Sequence, residues 1–454
     1  AGVSFHPDSR PTGSTQVRLS GGSPITVNPT TGSAVNEGSF CYCPDVPYHV
    51  TSYNIGNNDF RKVDLNAIPV GGTANDTNGN SITYTNGSFS FKKLTKLVSL
   101  NVSGCYHLDD SQSGGVTALD SANAENNTIT SINYSVTALK IPSNLGGCTS
   151  LISYISTYNR NHANQLLDGS NNYAFAACGS LESLNFYATN LGAINFPNFD
   201  NQNLKELELR STNIKGGAPG IADGSQTNVI TATTFERLTS LETLYINSVN
   251  LLALPIHADA FLKNTSLTSI IYNSNGRSTG SISELFNTNI NLTSINLSNN
   301  AFTGSPPNLA NNGLVSYLNL TTNQLSGAIP AYSSTRLRYI YLQTNKLTTL
   351  NEPGSLTALE IFQAHNNLIA GEIPDFSGCG NSLRNLTLNN NKITGYKLGA
   401  FINLRRVSYI DLSANNLSAS ALNNILVDLQ SNYDNSKRGR VTINLKNQTT
   451  VDPE

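Results

Sequence analysis

Methionine and tryptophan are absent from these 454 residues, and only 12% of the chain is charged. The formal net charge is −2 and no Lys/Arg run occurs, which argues against a basic groove for nucleic acid. No stretch approaches the roughly 18 continuous apolar residues of a membrane span, so membrane insertion is not expected. The sequence opens at Ala1 without a charged start and an apolar stretch, so a signal peptide is expected to be absent or already removed. The six cysteines form no C-x-x-C pair and the six histidines are scattered. There is no phosphate loop, no G-x-S-x-G elbow and no H-E-x-x-H. An enzyme is therefore not expected, and neither a cofactor nor a metal is implied. The nearest approaches to a site are Cys105-Tyr-His107-Leu-Asp109-Asp110 and Asp76-Thr-Asn78-Gly-Asn80. The first reads as a polar loop and the second as an Asn-Gly turn.

What fills the chain instead is amide and hydroxyl: 63 Asn, 51 Ser and 43 Thr, together 157 of 454 residues. Polar, weakly charged chains of this kind can be disordered. Here Leu, Ile and Val return at fixed spacing, so order is expected. The template L-x-x-L-x-L-x-x-N-x-L fits Leu292–Phe302, Val315–Leu325, Leu337–Leu347, Leu359–Ile369, Leu383–Ile393 and Val407–Leu417. Successive starts are 23, 22, 22, 24 and 24 residues apart. Upstream, frames start at Val50, Leu97, Ile129, Leu151, Leu181, Leu204, Leu241 and Leu267, giving 14 frames in all.

The ninth position of the frame holds Asn58, Asn159, Asn275, Asn300, Asn323, Asn345, Asn367, Asn391 and Asn415. A buried Asn there is expected to bond backbone groups of its own and the next coil, which close stacking otherwise leaves unpaired. Thr137, Thr189, Thr212 and Cys105 are partial substitutes, and Val249 is the exception. Several frames run on into L-x-G-x-I-P, as in Leu325-Ser-Gly-Ala-Ile-Pro330 and Ile369-Ala-Gly-Glu-Ile-Pro374. Gly and Pro there favour an extended return path on the convex side.

These motifs resemble the plant-type leucine-rich repeat, a subclass also met in bacterial and phage proteins, over roughly residues 50–417. The resemblance implies a curved α/β solenoid of about 14 coils with a parallel sheet on its concave face and a mostly non-helical convex side. Residues 1–46 then form an N-terminal arm or cap, 47–417 the solenoid and 418–454 a C-terminal cap. In that cap, Leu422, Ile425, Leu426 and Leu429 have helical spacing after Ser418 or Ser420 as N-cap, and Val441–Leu445 is a final strand. Val17–Leu19 and Ile25–Val27 read as a hairpin that either caps the solenoid or docks on another subunit. The long inserts at 61–96, 109–128, 160–180 and 215–240 are expected as loops on the coil edges. Cys148 and Cys178 each precede a frame start by three residues and are expected in adjacent coils, as buried thiols or as a disulfide.

Side chains alternate along a strand, so positions 3, 5, 7 and 8 are expected on the concave surface. Only Glu206, Glu208, Arg210 and Asp411 are charged there, and Ser at position 3 and Asn at position 5 predominate. Tyr317, Tyr339 and Tyr409 at position 3, and Tyr341 at position 5, break that pattern, with Gln363, His365 and Asn389 between them. Flat rings among amides suit a neutral glycan or a protein surface. The function expected is non-enzymatic recognition or assembly. One reading is a component of a virion (phage tail or fibre-like) or of a cell surface, in contact with other subunits, with copies of itself or with a host receptor. The other is a soluble extracellular receptor or inhibitor that binds a protein or glycan.

Overall fold

The computed structural model describes residues 14–18, 40–44, 52–54, 73–75, 81–83, 98–101, 128–135, 145, 148–158, 173–189, 198–210, 230–247, 256–275, 278–353, 356–436 and 441–449. The chain divides into two compact units, 1–222 and 223–454.

The apolar frame dictates how each coil closes. In the coil that starts at Leu292, positions 1, 4, 6 and 11 (Leu292, Ile295, Leu297 and Phe302) are wholly buried. The strand residues on either side of position 4 stay half exposed, here Ser294 and Asn296. A three-residue strand cannot stand alone, so each pairs in parallel with the next coil, position 3 on 3 and position 5 on 5. In unit 223–454 nine strands follow one another in chain order. They are Thr243–Asn247, Ser269–Asn273, Ser294–Asn296, Tyr317–Asn319, Tyr339–Tyr341, Ile361–Gln363, Asn385–Thr387, Tyr409–Asp411 and Thr442–Asn444. In unit 1–222 six strands do the same: Ser52–Asn54, Ser99–Asn101, Ser131–Asn133, Ser153–Ile155, Ser183–Asn185 and Glu206–Glu208.

The fold is thus the expected parallel solenoid with little helix, but the coil count differs. Against the 14 coils expected, the described residues hold six such strands in unit 1–222 and nine in unit 223–454. Its ninth is the strand expected within the cap. Gln448 there stands where the other coils carry the ladder Asn: its Oε1 accepts from Leu417 N–H at 3.1 Å, and its Nε2 donates to Leu412 O at 2.9 Å. A longer amide side chain had hidden the frame.

On the convex side the L-x-G-x-I-P segments are extended. Ser326–Ile329 pairs in parallel with Lys346–Leu350, and Ala370–Ile373 with Lys392–Tyr396. Gly304, in the partial motif Phe302-Thr-Gly304, has φ +80°, and a Cβ there would lie 2.6 Å from Ser281 Oγ. Behind the sheet, Phe235, Phe261 and Phe286 sit six residues ahead of their frame starts and stack at 5.8 and 6.1 Å. A second amide ladder runs three residues ahead of the starts. Asn264 Nδ2 donates to Phe235 O and Leu238 O, both at 2.8 Å, and Asn289 and Asn312 repeat the pattern one coil on. Cys148 and Cys178 occupy the equivalent places in unit 1–222 as buried cysteines.

Two expected loops end earlier than their polar composition indicates. Tyr173, Phe175, Ile230, Phe235 and Leu238 are buried, so the ends of the 160–180 and 215–240 inserts already belong to the packed coil. The insert at 61–96 carries an antiparallel strand pair, Thr73–Asn75 with Ser81–Thr83, joined through the Asp76–Asn80 segment. At the N-terminus, Ser14–Arg18 pairs antiparallel with Phe40–Pro44. The partner expected for it, Ile25–Val27, lies outside the described residues, as do the 109–127 insert and the Cys105–Asp110 segment.

The helix Ala419–Ser436 follows Leu417. Ser418 caps it, its Oγ accepting from Ala421 N–H at 3.1 Å. Ala421, Ile425 and Leu429 face inward, while Leu426, expected among them, is half exposed. Polar residues take the remaining inward places. Asp428 Oδ2 accepts from Gly399 N–H at 2.9 Å and from the Tyr396 hydroxyl, and Asn432 Nδ2 donates to Phe401 O at 2.6 Å.

The concave face of the C-terminal unit as candidate functional site

Each coil leaves its strand through a tight turn, and three frame positions build that turn. Position 9 is the Asn ladder. Asn367 Nδ2 donates to Ala364 O in its own coil at 3.1 Å and to Leu342 O at 3.0 Å, while its Oδ1 accepts from Leu347 N–H at 3.0 Å. Asn323, Asn345, Asn391 and Asn415 make the same three bonds. Asn300 donates to Tyr272 O and Leu297 O and accepts from Asn275 N–H, and Asn275 donates to Ile246 O. The partner is therefore the preceding coil, not the following one, because the side chain points back under the turn it closes. Asn58 and Asn159 lie outside the described residues.

Position 8 is left-handed. Asn299, Thr322, Thr344, Asn366, Asn390 and Ala414 have φ between 52° and 60°. The frame had placed this residue on the binding face; its role is to turn the chain. Position 5 is also less available than its sequence implies. The Oδ1 atoms of Asn133, Asn185, Asn296 and Asn319 accept from the N–H two residues on, at 2.9–3.1 Å. These amides brace their own turn. Asp411 does the same for Ser413.

Position 5 changes character in three successive strands, where Tyr341, Gln363 and Thr387 replace the bracing amide. Parallel register sets Tyr317 beside Tyr339, and Asn319 beside Tyr341. Ring centroids are 6.4 Å apart for Tyr317–Tyr339 and 5.8 Å for Tyr317–Tyr341. All three rings are half exposed. Burial, then the neighbouring Tyr317 and Tyr339, raises the Tyr341 hydroxyl above its ordinary pKa. The Arg338 guanidinium lies 5.4 Å from the Tyr339 ring centroid and pairs with Glu360, so the cluster has one cationic border.

Gln363 is in register with Tyr341 and forms the next step of the face. His365 Nδ1 lies 3.2 Å from Thr387 Oγ1. Burial lowers the imidazole below its ordinary value, partly offset by Asp411. Asn389 follows one coil on, half exposed. Tyr409 does not join the other tyrosines: the strands Ile361–Gln363 and Asn385–Thr387 separate it from Tyr339. Its hydroxyl donates to Asp411 Oδ2 at 3.1 Å. Asp411 also accepts from Ser413 N–H and Oγ–H and from Asn444 Nδ2. Burial alone would raise this carboxyl, but the four donors outweigh it and hold it below the usual value. The face has one aromatic patch and, beyond Asn389, a separate acidic network.

No group of three or more His, Cys, Asp or Glu among the described residues is arranged to hold a metal ion. No helix among them is long and apolar enough to cross a membrane.

The leucine-rich-repeat family model matches residues 291–312, within the frame that begins at Leu292. Comparison with curated proteins gives no match. Among solved structures, a TDR receptor is similar at 25% identity and TM-score 0.56, over 72% of this chain and 53% of that one. This chain therefore spans about half the length of that receptor. A leucine-rich-repeat protein of Leptospira interrogans is similar at 17% identity and TM-score 0.48, covering 78% of this chain and 91% of that one. An internalin of Listeria monocytogenes is similar at 16% identity and TM-score 0.45, over 83% and 86%. The matched repeat is one coil of the solenoid described above, and its frame continues in the coils on both sides.

Proposed function

We propose that this chain is a non-catalytic recognition protein of a virion or cell exterior that contacts its partner through the concave face of the C-terminal unit. The observation that carries this reading is the Tyr317–Tyr339–Tyr341 cluster, half exposed at ring separations of 5.8–6.4 Å. Aromatic residues of this kind give large contact area at small entropic cost, and they are enriched where protein surfaces meet. Repeat arrays offer extended surface instead of an enclosed catalytic pocket, which supports a scaffold for protein binding. The partner is another subunit of the assembly or a host-surface receptor. A soluble extracellular receptor or inhibitor is the second reading, favoured by the likeness to the TDR receptor.

The test is to localise the protein on intact particles or cells and to compare the native chain with Tyr339→Ala/Tyr341→Ala. Surface localisation that the double variant loses, with an unchanged melting temperature, is the expected result. A monodisperse monomer whose attachment is insensitive to both substitutions would overturn the reading.

A further inference from the structure

The turns of the C-terminal unit do not all close in the same way. Ser298, Thr321, Ser413 and Lys446, at position 7, each donate their main-chain N–H to the side-chain oxygen at position 5 of their own coil. Gln343, His365 and Asn389 hold the same place in three successive coils, where position 5 is Tyr341, Gln363 and Thr387. Their N–H groups have no acceptor among the described residues. Thr387 Oγ1, the one aliphatic hydroxyl at position 5 of these coils, lies 3.2 Å from His365 Nδ1 instead. Acceptors are left over on the same patch: Thr321 Oγ1, Gln343 Oε1 and Asn385 Oδ1 have no partner. These three acceptors are shielded, and each costs about 1–3 kcal/mol while it lacks a partner. The unpaired N–H groups at the strand exits, with these acceptors beside them, concentrate hydrogen-bonding capacity on this part of the face.

The spacing identifies the chemistry of that ligand. Adjacent strands are about 4.8 Å apart, so the three N–H groups form a row with that repeat along the solenoid axis. An extended peptide brings carbonyls to one side only every second residue, at about 6.6 Å, and falls out of step. A linear pyranose chain advances by close to one strand spacing per sugar, and its hydroxyls both accept and donate. Its C–H faces pack on aromatic rings, and the Tyr317–Tyr339–Tyr341 cluster lies at the head of the row. Among the concave positions of these three coils there is no carboxylate, and the one basic side chain is His365, whose imidazole burial lowers below its ordinary value.

We infer that the row from Gln343 to Asn389 is a subsite for a linear, uncharged glycan that runs along the solenoid axis, one sugar per coil. The inference rests on the proposed recognition face and names its ligand class. The unbraced position 5 is what opens it, so Gln363→Asn closes the His365 N–H from within, leaving all three tyrosines in place.

The test uses the full chain with linear β-1,4-, β-1,3- and α-1,4-linked glucose hexasaccharides as probes, titrated by calorimetry and by tyrosine emission, which no tryptophan obscures. At least one hexasaccharide is expected to bind saturably. Gln363→Asn should weaken it roughly tenfold, the loss of one hydrogen bond and its exposed partner, without lowering thermal stability. Tyr339→Ala should weaken it as well. Binding to none of the three, or equal binding by Gln363→Asn, overturns the inference. Loss of particle or cell attachment in Tyr339→Ala/Tyr341→Ala without any glycan binding would leave the recognition face standing and refute the sugar alone.

Discussion

Single residues carry the coil-to-coil connection. Asn367 is nearly buried and ties three main-chain groups in two coils. Replacement by Ala leaves those groups unpaired, so Asn367→Ala should cost about 2–4 kcal/mol in urea unfolding. The left-handed turn residue works in the opposite direction. Thr344 has φ +60°, a conformation that a β-branched residue tolerates poorly and Asn accepts. Thr344→Asn should raise the urea midpoint by an amount equivalent to about 0.5–1 kcal/mol, provided the slope is unchanged. The thiols are a third case. Burial pushes Cys148 up to about 11 and Cys379 to about 12, and burial together with Cys148 takes Cys178 to about 12. All three should resist iodoacetamide at pH 8 in the folded chain and react once it is denatured. The Asn ladder was visible in the sequence because Asn recurs there, and the places of Cys148 and Cys178 were visible from their spacing to the frame starts. Position 8 changes identity from Asn to Thr to Ala, and only backbone geometry reveals that it is one site.

At the scale of the element, the terminal helix shows where periodicity stops being informative. Its spacing marks Leu422, Ile425, Leu426 and Leu429, yet Leu426 is half exposed, while Asp428 and Asn432 are buried. The coil it covers presents main-chain N–H and C=O groups at Gly399, Phe401 and Asn403, which only polar side chains can satisfy. Ile425→Ala should cost about 2–4 kcal/mol, whereas Leu426→Ser should be near neutral. Hydrogen exchange across residues 419–436 would read both. The last strands add a pH dependence. The Asp411 carboxyl is lowered in the folded state, so its contribution is full above the ordinary aspartate range and is lost as pH falls through the lowered value. Acid unfolding of Asp411→Asn should therefore have a shallower limb than that of the native chain.

For the molecule as a whole, low charge and excess amide have one common cause in the C-terminal unit. Stacked coils leave main-chain groups at every turn, and neutral amides pair them inside without the desolvation cost of ions. Two amide ladders and the braced position 5 absorb much of the asparagine that composition alone would assign to disorder. Residue spacing by itself determined the parallel solenoid, its strands, the extended convex path and the inward apolar positions. Those depend on which residues recur, and a repeat is a local rule. The structure decided what recurrence cannot express: that Gln448 completes a ninth turn, that Tyr409 stands apart from the other tyrosines, and that most position-5 amides are already engaged. It also decided that three consecutive turns are left unbraced. Each of these depends on which neighbour stands one coil away, and stacking sets that distance only once the chain has folded.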